Sequence, residues 1–578
     1  MATDTATPPT TEPKLSEVEG IKTASRWLRG TLADEMASGA DHFNEESKQL
    51  LKFHGSYQQE DRDARKNRDK AGVGKHYMFM IRLKLPGGVM SADQYLAMDE
   101  IADKHANGTL RLTTRQSIQF HGIVMGNLKQ SIQDINAVLI STLGACGDVN
   151  RNVMACPAPL NDQPHQEAQR LAHEIAAHLA PKSNAYHDVW LNGVKQSPDA
   201  EQEDGVEPIY GKVYLPRKFK ACVSLPQDNC VDLYANDLGF LAAIENGKTV
   251  GYNVVIGGGF GRTSGKPDTF PHLGQALCFV KPEEVVAASE AVIKFFRDHG
   301  NRANRKRARL KYVVHDMGIA KVREIFQEKY WDKPLVSPRD LPITGVDLHH
   351  GWHPQGNGKW FLGLSVENGR IKDDGSYRLR SGIREIVKRF KAGARVTGQQ
   401  DLLICDISTA DRPAVDSLLN EYGIPKPETL SLVQKWSMAC PAIPTCGLAI
   451  TESERALPGM IDQMEGIVNE LGLVDEAISI RMTGCPNGCA RPYNSDIGLV
   501  GRTGEKYTMF VGGTTRGDQL NFLLQDLVHR DKVLEYSKTL LGLYKTERKS
   551  GEPFGDWCQR KGVASLCGIL NLPLPKAI

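Results

Sequence analysis

The chain lacks long apolar runs, an excess of charge of one sign and a secretory leader. None of its apolar runs approaches the ~20 residues that a membrane-spanning helix needs, so we expect no membrane insertion. Lys and Arg number 71 against 69 Asp and Glu, and a net charge of +2 argues against general nucleic-acid binding. The N-terminal residues carry no basic start and no apolar stretch, which argues against secretion.

The composition is that of an ordinary globular protein, and the chain contains twelve cysteines. The 578 residues are 40% hydrophobic and 24% charged, and at this length we expect about three or four domains rather than one core. Twelve cysteines without a secretory signal indicate a reducing compartment and metal chemistry rather than disulfides. The sequence therefore predicts a cytoplasmic protein.

Four of the cysteines form two closely spaced pairs. Cys440 and Cys446 lie in Ala-Cys-Pro-x4-Cys, and 38 residues later Cys485 and Cys489 lie in Thr-Gly-Cys-Pro-Asn-Gly-Cys. Four thiolates on Pro- and Gly-rich turns directed at one point hold either a tetrahedral zinc ion or an iron–sulfur cluster. Zinc loops usually separate their cysteines by two or four residues, whereas the gaps here are five and three. This spacing favours a [4Fe–4S] cluster, with zinc as the alternative.

A weak internal repeat is the second informative feature. Arg-Leu-Thr-Thr-Arg-Gln from Arg111 resembles Arg-Val-Thr-Gly-Gln-Gln from Arg395, and each follows a helical pattern, at 92–107 and 381–391. Further helical patterns cover 166–180, 283–298 and 461–471 and alternate with strand-like runs. The sequence predicts a mixed α+β fold with pseudo-twofold symmetry, in which a cofactor would be held from both halves.

The same repeat includes a glycine-rich segment in each half. Ala-Asn-Asp-Leu-Gly at 235–239, followed by Gly257-Gly258-Gly259, resembles Asn-Ser-Asp-Ile-Gly at 494–498, followed by Gly512-Gly513. No Gly-x-Gly-x-x-Gly opens a βαβ unit that would bind NADPH. We therefore interpret the loop at Gly257 and Gly258 as structural or cofactor-facing.

Basic residues recur in apolar or Gly- and Pro-rich surroundings. Lys218 and Lys220, in Leu-Pro-Arg-Lys-Phe-Lys, would lie on one face of a strand, where their ammonium groups repel each other unless an anion lies between them. A solvated edge strand protected by lysines is the alternative. The set as a whole favours a buried site for a polyanion. Its other members are Arg82, Arg111, Arg115, Arg151 and Arg217.

Taken together, these segments resemble the siroheme- and [4Fe–4S]-containing sulfite and nitrite reductase family, and within it the NADPH-dependent assimilatory class. The resemblance extends over nearly the whole chain, from Phe-His-Gly-Ser-Tyr-Gln-Gln at 53–59 to Gly-Glu-Pro-Phe-Gly-Asp at 551–556. Thr-Gly-Cys-Pro-Asn-Gly-Cys is highly specific for this family. Arg-Leu-Thr-x-Arg-Gln, Asn-Arg-Asn-Val and Leu-Pro-Arg-Lys-Phe-Lys strengthen it jointly.

The resemblance implies a role for each candidate site residue. Cys440, Cys446, Cys485 and Cys489 would hold the cubane, and Cys489 would also be the axial ligand of the siroheme iron. Arg82, Arg151, Lys218 and Lys220 would surround the substrate on the opposite face of the iron. The residues that would contact the siroheme are Arg111, Thr113, Arg115, Gln119, His121, Arg217, Gly257, Gly258, Gln400 and Asn487.

The resemblance also implies a domain order. Residues 1–20 would be a disordered arm, 21–140 a ferredoxin-like half-domain with an N-terminal extension, and 141–335 a siroheme-binding α+β domain with the anion pocket. Residues 336–425 would repeat the half-domain, and 426–578 would form the second α+β domain, which carries the cluster.

The implied reaction is the six-electron reduction of sulfite to sulfide in cysteine biosynthesis. Related nitrite reductases read Lys-x-Asn where this chain reads Lys218-Phe-Lys220, which favours sulfite, a dianion, over nitrite. Electrons would come from a flavoprotein subunit that holds FAD and FMN and oxidises NADPH, so we expect a hetero-oligomer. Ferredoxin is the alternative donor.

Other hypotheses stay open. The chain could be a ferredoxin-dependent sulfite or nitrite reductase, a zinc-stabilised protein without redox activity, or a degenerate family member kept as an electron-transfer scaffold. The remaining cysteines form no second cluster motif, and buried structural thiols are the default interpretation for them. They are Cys146, Cys156, Cys222, Cys230, Cys278, Cys405, Cys558 and Cys567.

Overall fold

The computed structural model describes residues 14–182, 190–191, 194–195 and 206–576. Residues 1–13 of the predicted disordered arm lie outside the described residues. Residues 17–20, also assigned to that arm, instead begin the helix Glu17–Ala24, in which Glu19 and Lys22 are buried. No helix of the described residues is long and apolar enough to cross a membrane.

Two five-stranded antiparallel sheets exchange a strand with each other. Sheet 1 belongs mainly to the first half of the chain and ends on Arg370–Ile371 from the second half, whereas sheet 3 ends on Val89–Met90 from the first. Sheet 1 has the order Ser56–Glu60, Tyr77–Arg82, Ser117–Ile123, Leu110–Thr113, Arg370–Ile371. Sheet 3 has the order Gly351–Pro354, Lys359–Leu364, Leu402–Ser408, Gly393–Val396, Val89–Met90.

Two mixed sheets carry the larger modules. In each, a short strand runs parallel to the next strand in the chain, which then continues into an antiparallel hairpin and a further antiparallel strand. Sheet 2 has the order Gln275–Val280, Lys248–Ile256, Leu238–Glu245, Ala221–Ser224. Sheet 4 has the order Ser437–Ala439, Ile480–Thr483, Ile497–Thr503, Lys506–Val511, Phe522–His529. Two-stranded ribbons pair Trp190–Leu191 with Val194–Lys195 and Asp373–Asp374 with Tyr377–Arg378.

The helices follow from apolar periodicity and from local capping. In Ala92–His105 the apolar Tyr95, Met98 and Ile101 face the core, and Ser91 and Gln94 cap the first turn reciprocally. The α-helices of the described residues are Glu17–Ala24, Leu32–Ala37, Glu45–Leu50, Arg62–Ala71, Ala92–His105, Met125–Ala137, Gln163–His178, Val285–His299, Leu310–Met317, Ile319–Lys329, Leu379–Phe390, Arg412–Glu421, Leu432–Lys435, Leu457–Leu471, Arg530–Glu547 and Phe554–Ile569.

All five helices predicted from periodicity are confirmed, with ends shifted by a few residues. The patterns at 92–107 and 381–391 correspond to Ala92–His105 and Leu379–Phe390. Those at 166–180, 283–298 and 461–471 correspond to Gln163–His178, Val285–His299 and Leu457–Leu471. The largest shift, four residues, is at the start of the last helix, where Pro458 occupies a favourable first-turn position.

The structure confirms the internal repeat at equivalent backbone contacts. Gln116 and Gln400 both have positive φ, 48° and 74°, and their side-chain amides donate to the carbonyls of Ala155 and Ala439. The glycine-rich segments match as well. The Gly258 amide donates to the Asn236 carbonyl at 2.9 Å, and the Gly513 amide donates to the Ser495 carbonyl at 3.1 Å. The predicted α+β fold with pseudo-twofold symmetry is therefore confirmed.

One hydrophobic core serves sheets 1 and 3 together. Leu110 and Phe120 of the first half belong to the same buried cluster as Ile383 and Ile404 of the second. The modules around sheets 2 and 4 have large cores of their own. The strand exchange and the shared core place the two halves against each other, with the cysteine loops of the second half facing the first.

Candidate functional site

The four cysteines of the two pairs lie on loops that leave neighbouring parallel strands. Cys440 directly follows Ser437–Ala439, and Cys485 comes two residues after Ile480–Thr483, to which that strand pairs. Since parallel strands end at the same edge of a sheet, both loops leave sheet 4 together. Cys440 and Cys485 are buried, Cys446 is half-buried and Cys489 is exposed. The Gly484 amide donates to the Cys440 sulfur at 3.3 Å.

All four cysteines line one cavity of about 500 Å³, here called the central cavity. Burial and the neighbouring Cys489 raise the pKa of Cys440, Cys446 and Cys485, and the positive charge of a bound metal would favour their thiolate forms. A tetrahedral zinc ion would need sulfur–sulfur distances of about 3.8 Å. Among the described residues, the four do not form a group whose ligand atoms lie within 4.8 Å of one another. These sulfurs are therefore too widely spaced for one tetrahedral zinc ion, which favours the larger cubane.

Predicted site residues from both halves share the central cavity with the cysteines. The first half supplies strands and turns of sheet 1 and the segment after residue 146, and the second half supplies the turn after Gly393–Val396. The predicted residues that line it are Arg82, Arg111, Thr113, Gln119, His121, Arg151, Lys218, Gln400, Cys440, Cys446, Cys485, Asn487 and Cys489.

Two smaller cavities adjoin it through shared residues. The lysine cavity is lined by Arg115, Lys218, Lys220, Asn487 and Cys489 among others, and the outer cavity, of about 420 Å³, by Arg151, Arg217, Lys218 and Asn487 among others. Lys218 and Asn487 thus belong to all three cavities. Cys489 is the cysteine that reaches both the central cavity and the lysine cavity.

The predicted lysine pair faces the same side, although not from a regular strand. Residues 218 and 220 flank an isolated parallel bridge between Phe219 and Asn150, and the strand begins only at Ala221. Neither ammonium group has a hydrogen-bond or ion-pair partner among the described residues. Burial and the nearby Arg151 and Arg217 lower the pKa of Lys218 to about 7. Burial and Arg115 lower the pKa of Lys220 well below its ordinary value.

The predicted arginines differ in their hydrogen-bond partners and in their pKa values. The Gln119 amide oxygen, in the orientation that satisfies its neighbours, accepts from Arg82 Nε at 2.9 Å, and Arg82 also contacts the Cys146 sulfur at 3.3 Å. Arg151 donates to the Gly147 carbonyl at 3.2 Å. Arg115 donates to the Asn236 side chain at 2.6 Å, and burial lowers the pKa of Arg115 to about 9. Burial and Arg305 lower the pKa of Arg217 to about 10.

The Arg111 side chain makes more contacts within the protein than the sequence suggested. Its guanidinium is fully buried, pairs with Glu454 at 2.9 Å and donates to the carbonyl of Ala439, next to Cys440, at 2.8 Å. It lines the central cavity but also holds the cysteine loop against sheet 1. Glu454, which the sequence analysis missed, carries no local motif that could have identified it.

Several buried polar atoms that line the central cavity have no partner in the described structure. Both ring nitrogens of His121 and the Oε1 atom of Gln400 are among them. Burial and the cations Arg370, Arg111 and Arg82 hold the pKa of His121 well below its usual range, so the ring is neutral. Unsatisfied buried donors and acceptors are costly, about 1–3 kcal/mol each, unless a ligand satisfies them. A large group rich in carboxylates fits this lining and its surplus of cations.

Gly257 and Gly258, interpreted from the sequence as a structural or cofactor-facing loop, have the surroundings of a structural loop. They line none of the three cavities and pack against the backbone of 234–236 and the side chain of Val314. A Cβ at Gly258 would lie 2.1 Å from the Tyr234 carbonyl oxygen, so only glycine fits. Their role as direct contacts of a bound cofactor stays a prediction that the cavity linings do not support, whereas the neighbouring Gly261 lines the lysine cavity.

The structure adds cations that the sequence analysis did not single out. The Lys311 ammonium donates to the carbonyls of Gly259 and Gly261 at 3.0 and 2.7 Å, and burial lowers the pKa of Lys311 to about 6. Arg309 and Arg491 line the lysine cavity, and Lys52 lines both other cavities. Arg309 and Lys311 lie in Arg-Leu-Lys at 309–311, a weak signal that only the fold makes specific.

Comparisons with known proteins match both the modules and the whole chain. The sequence-family model of the "Nitrite and sulphite reductase 4Fe-4S domain" matches residues 146–335 and 438–577. The model of the "Nitrite/Sulfite reductase ferredoxin-like half domain" matches residues 72–138 and 353–422. Each model therefore matches twice, in agreement with the internal repeat.

Curated relatives are similar over nearly their full lengths. The "Sulfite reductase [ferredoxin]" of Synechococcus elongatus is 45% identical, over 96% of this chain and 91% of its own. The "Sulfite reductase [NADPH] hemoprotein beta-component" of Staphylococcus haemolyticus is 43% identical, over 96% of each chain. The solved structure of the Mycobacterium tuberculosis NirA protein matches with a TM-score of 0.78 at 24% identity, over 96% of this chain and 98% of that one, and shares the fold.

Proposed function

The chain belongs to the nitrite and sulphite reductase family, and from that premise we propose that it is the hemoprotein component of an assimilatory sulfite reductase. It is an enzyme of the sulfite reductase type, with a siroheme and a [4Fe–4S] cluster as cofactors. The proposed reaction is the six-electron reduction of sulfite to sulfide, and its proposed role is in cysteine biosynthesis.

One observation carries the proposal. Cys489 lines one cavity with the three other cysteines and a second cavity with Lys218 and Lys220, whose ammonium groups have no partner among the described residues. A candidate metal-binding cysteine therefore lies beside a pocket whose unpaired positive charges favour an anion. Reduction of an oxyanion needs this combination of an electron path and uncompensated positive charge.

The residues present fit both cofactors. Cys440, Cys446, Cys485 and Cys489 would hold the cluster, and Cys489 would also reach the siroheme iron. The cofactors would relay the electrons that a donor supplies, because no side chain stores them. All of the residues that would contact the siroheme carboxylates and ring line one of the three cavities, although Arg111 is already paired with Glu454. They are Arg111, Thr113, Arg115, Gln119, His121, Arg217, Gln400 and Asn487.

Four basic side chains would bind the substrate. Arg82, Arg151, Lys218 and Lys220 would bind the sulfite oxygens and stabilise negative charge that accumulates during reduction. Arginine presents a planar fork to two oxygens, whereas lysine can also release a proton. Since the pKa of Lys218 is about 7, its ammonium can donate a proton near neutral pH.

Nitrite reduction is the second candidate, and the lysine pair favours sulfite over it. Lys220 lies beside Lys218 in the lysine cavity, and a dianion with three oxygens gains more from two ammonium groups than a monoanion with two oxygens. Three curated relatives at 42–45% identity are sulfite reductases by name.

An electron-donating partner is required, because the chain itself shows no dinucleotide-binding motif. We propose a flavoprotein subunit that carries FAD and FMN and oxidises NADPH, which would form a hetero-oligomer with this chain. Ferredoxin is the alternative, and relatives of both kinds are similar to this chain. Rates of sulfide formation with reduced ferredoxin and with NADPH plus flavoprotein, measured on one sample, distinguish the two donors.

The domain division also remains our proposal. Boundaries near residues 140, 335 and 425 are supported by the ranges that the two family models match. The cytoplasmic location stays a prediction.

The proposal is tested by an absorption spectrum of the purified chain, with iron and acid-labile sulfide measured on the same sample. We expect a haem-like Soret band, about five irons and about four sulfides per chain, that is, one haem plus one cubane. Sulfite-dependent oxidation of a reduced donor should accompany these cofactors. A colourless protein from cells that make siroheme, with zinc in place of iron, would contradict the proposal.

A further inference from the structure

A second group of metal-ligating side chains lies outside the three cavities. Cys156, Asp228, Cys230 and His349 are 1%, 4%, 1% and 3% exposed, and one ligand atom from each lies within 4.8 Å of all the others. None of the four lines the cavities described above. Cys156 and Cys230 are 74 positions apart and His349 lies 119 positions beyond Cys230, so no local motif joins them and the sequence predicts only buried structural thiols.

The internal repeat places this group at the position that corresponds to the cluster site. Met-Ala-Cys-Pro-Ala occurs at both 154–158 and 438–442, and the carbonyl before each cysteine accepts from Gln116 or Gln400. Met154 forms a parallel bridge with Cys222, as Met438 does with Arg481 in the second half. Cys156 therefore corresponds to Cys440.

The second cysteine of the group has an equivalent partner too. Cys230 follows Ser224, the last residue of its strand, by six residues, and Cys489 follows Thr483 by the same number. Both strands pair in parallel with the next strand in the chain. The first half thus retains two of the four cluster-type cysteines, and Asp228 and His349 complete the group.

The spacing and chemistry of the group suit one small ion rather than a cluster. The His349 Nε2 atom lies 3.4 Å from the Cys156 sulfur and 3.1 Å from the Asp228 Oδ2 atom. Tetrahedral zinc, with Zn–S of about 2.3 Å and Zn–N or Zn–O of about 2.0 Å, places such pairs about 3.5 and 3.3 Å apart. Two sulfurs, one imidazole and one carboxylate form a ligand set that favours zinc, and full burial is typical of a structural site.

The surroundings hold the ligands in orientation. Asp228 Oδ1 accepts from the amides of Cys230 and Asp347, both at 3.1 Å, which leaves Oδ2 directed at His349. The other ring nitrogen of His349 lies 3.5 Å from the Asp347 carboxylate, the arrangement that orients a metal-binding histidine. His165, which bonds to Asp162 at 2.8 Å, lies near the Cys156 sulfur.

We propose that Cys156, Asp228, Cys230 and His349 bind a structural zinc ion. The ion would join the segment after Met154, the loop at 225–232 and the irregular linker at 336–350 that connects the two halves. The same loop carries Asp232, which pairs with Arg491 at 2.8 Å, and the Cys230 carbonyl, which accepts from Gln399 at 3.4 Å. Zinc would thereby fix the turn that presents Gln400 to the central cavity.

The test is the metal content of the purified, cofactor-loaded full chain. We expect about one zinc per chain in addition to the cofactor iron. Cys230→Ser and His349→Gln should each lower zinc to below about a tenth per chain while the Soret band and the iron content persist. Cys405→Ser is the matched control, because Cys405 is buried in the same hydrophobic cluster as Cys156 and Cys230 but is not a ligand.

Two results would overturn the zinc site. The wild-type chain could carry its full iron but no zinc; the group would then be a hydrogen-bonded thiolate–imidazolium pair. Zinc could also persist in Cys230→Ser and His349→Gln. If those variants fail to fold, zinc X-ray absorption of the wild-type chain decides: two sulfurs with two nitrogen or oxygen ligands support the site, and a four-sulfur shell rejects it.

Discussion

Lys218 and Lys220 carry two unpaired ammonium groups among the described residues that line the cavities. Both lysines are half-buried, lie close to arginines and have no ammonium partner among the described residues. Keeping uncompensated charges away from water costs several kcal/mol per ion, which an anionic ligand offsets. We therefore expect both positions to control anion affinity and proton supply.

The change Lys220→Asn tests substrate choice. It removes one ammonium group from the lysine cavity, which a dianion needs more than a monoanion. We expect kcat/KM for sulfite to fall about 10²-fold and that for nitrite to fall less than tenfold. Steady-state rates with both substrates and one electron donor measure the difference.

Lys212→Asn is the control for this experiment. It makes the same change of charge eight residues away on an exposed side chain and should leave both rates unchanged. Equal losses for sulfite and nitrite in Lys220→Asn would remove the argument for sulfite.

The lowered pKa of Lys218 predicts a pH dependence. The ammonium form dominates below pH about 7 and is lost as the pH rises through that value, so kcat/KM should decline above pH about 7. Nitrite is the substrate to use, because sulfite itself titrates near neutrality. Lys218→Arg, which stays charged, should lower the rate and abolish this decline. A decline retained in Lys218→Arg would assign it to another group.

At the scale of elements, the exchanged strands and one carboxylate connect the cysteine loop to sheet 1. Glu454 accepts from Arg111 at 2.9 Å and from Arg370, on the exchanged strand, at 2.7 Å. Its own amide donates to the Cys440 carbonyl at 3.1 Å. Although burial alone would raise it, the pKa of Glu454 is lowered to about 2 by these two arginines.

Glu454→Gln should destabilise the chain by about 3 kcal/mol at neutral pH. The shift from 4.5 to about 2 corresponds to this magnitude, and an unpaired buried Arg111 has a similar cost. Because the folded-state pKa is the lower one, the stabilisation is complete above pH 4.5 and is lost as the pH falls towards 2. The urea midpoint of unfolding, followed by fluorescence, measures the change.

Glu452→Gln provides the comparison. Glu452 lies two residues before Glu454 and pairs with Arg455 at the surface. Such surface pairs contribute about 0–1 kcal/mol to stability. If the two variants unfold at the same urea concentration, the pairing of Glu454 with Arg111 does not stabilise the fold.

At the scale of the whole molecule, the two halves form one folding unit. Val89–Met90 completes the sheet of the second half and Arg370–Ile371 completes that of the first. The core beneath both sheets draws its residues from both halves. Each half alone would expose an open sheet edge and part of an apolar core, which favours aggregation.

A chain divided after the exposed Ser337 tests this dependence. Fragments 1–337 and 338–578, expressed together, should copurify and carry both cofactors, because the cut lies in the irregular linker and leaves every sheet pairing intact. Each fragment expressed alone should be insoluble. Fragments that fold and remain separate would show that the exchanged strands do not join the halves.

The sequence by itself determined the chemistry and the repeated architecture of this protein. Cys440, Cys446, Cys485 and Cys489 are recognisable because ligand spacing within a loop is local, and five helices are recognisable because apolar periodicity is local as well. The lysine pair was predicted to face one side because side chains alternate in extended backbone, and that holds around the bridge at Phe219.

Only the tertiary structure decided which distant residues meet. Arg111 and Glu454 are 343 positions apart, and Cys156 and His349 are 193 apart, so no pattern along the chain could reveal either contact. The sequence left Gly257 and Gly258 as a structural or cofactor-facing loop, whereas the structure packs Gly257 against Val314 and Gly258 against the backbone at 234–236. Spacing along the chain reports local geometry, whereas burial and charge pairing arise when the two halves pack together.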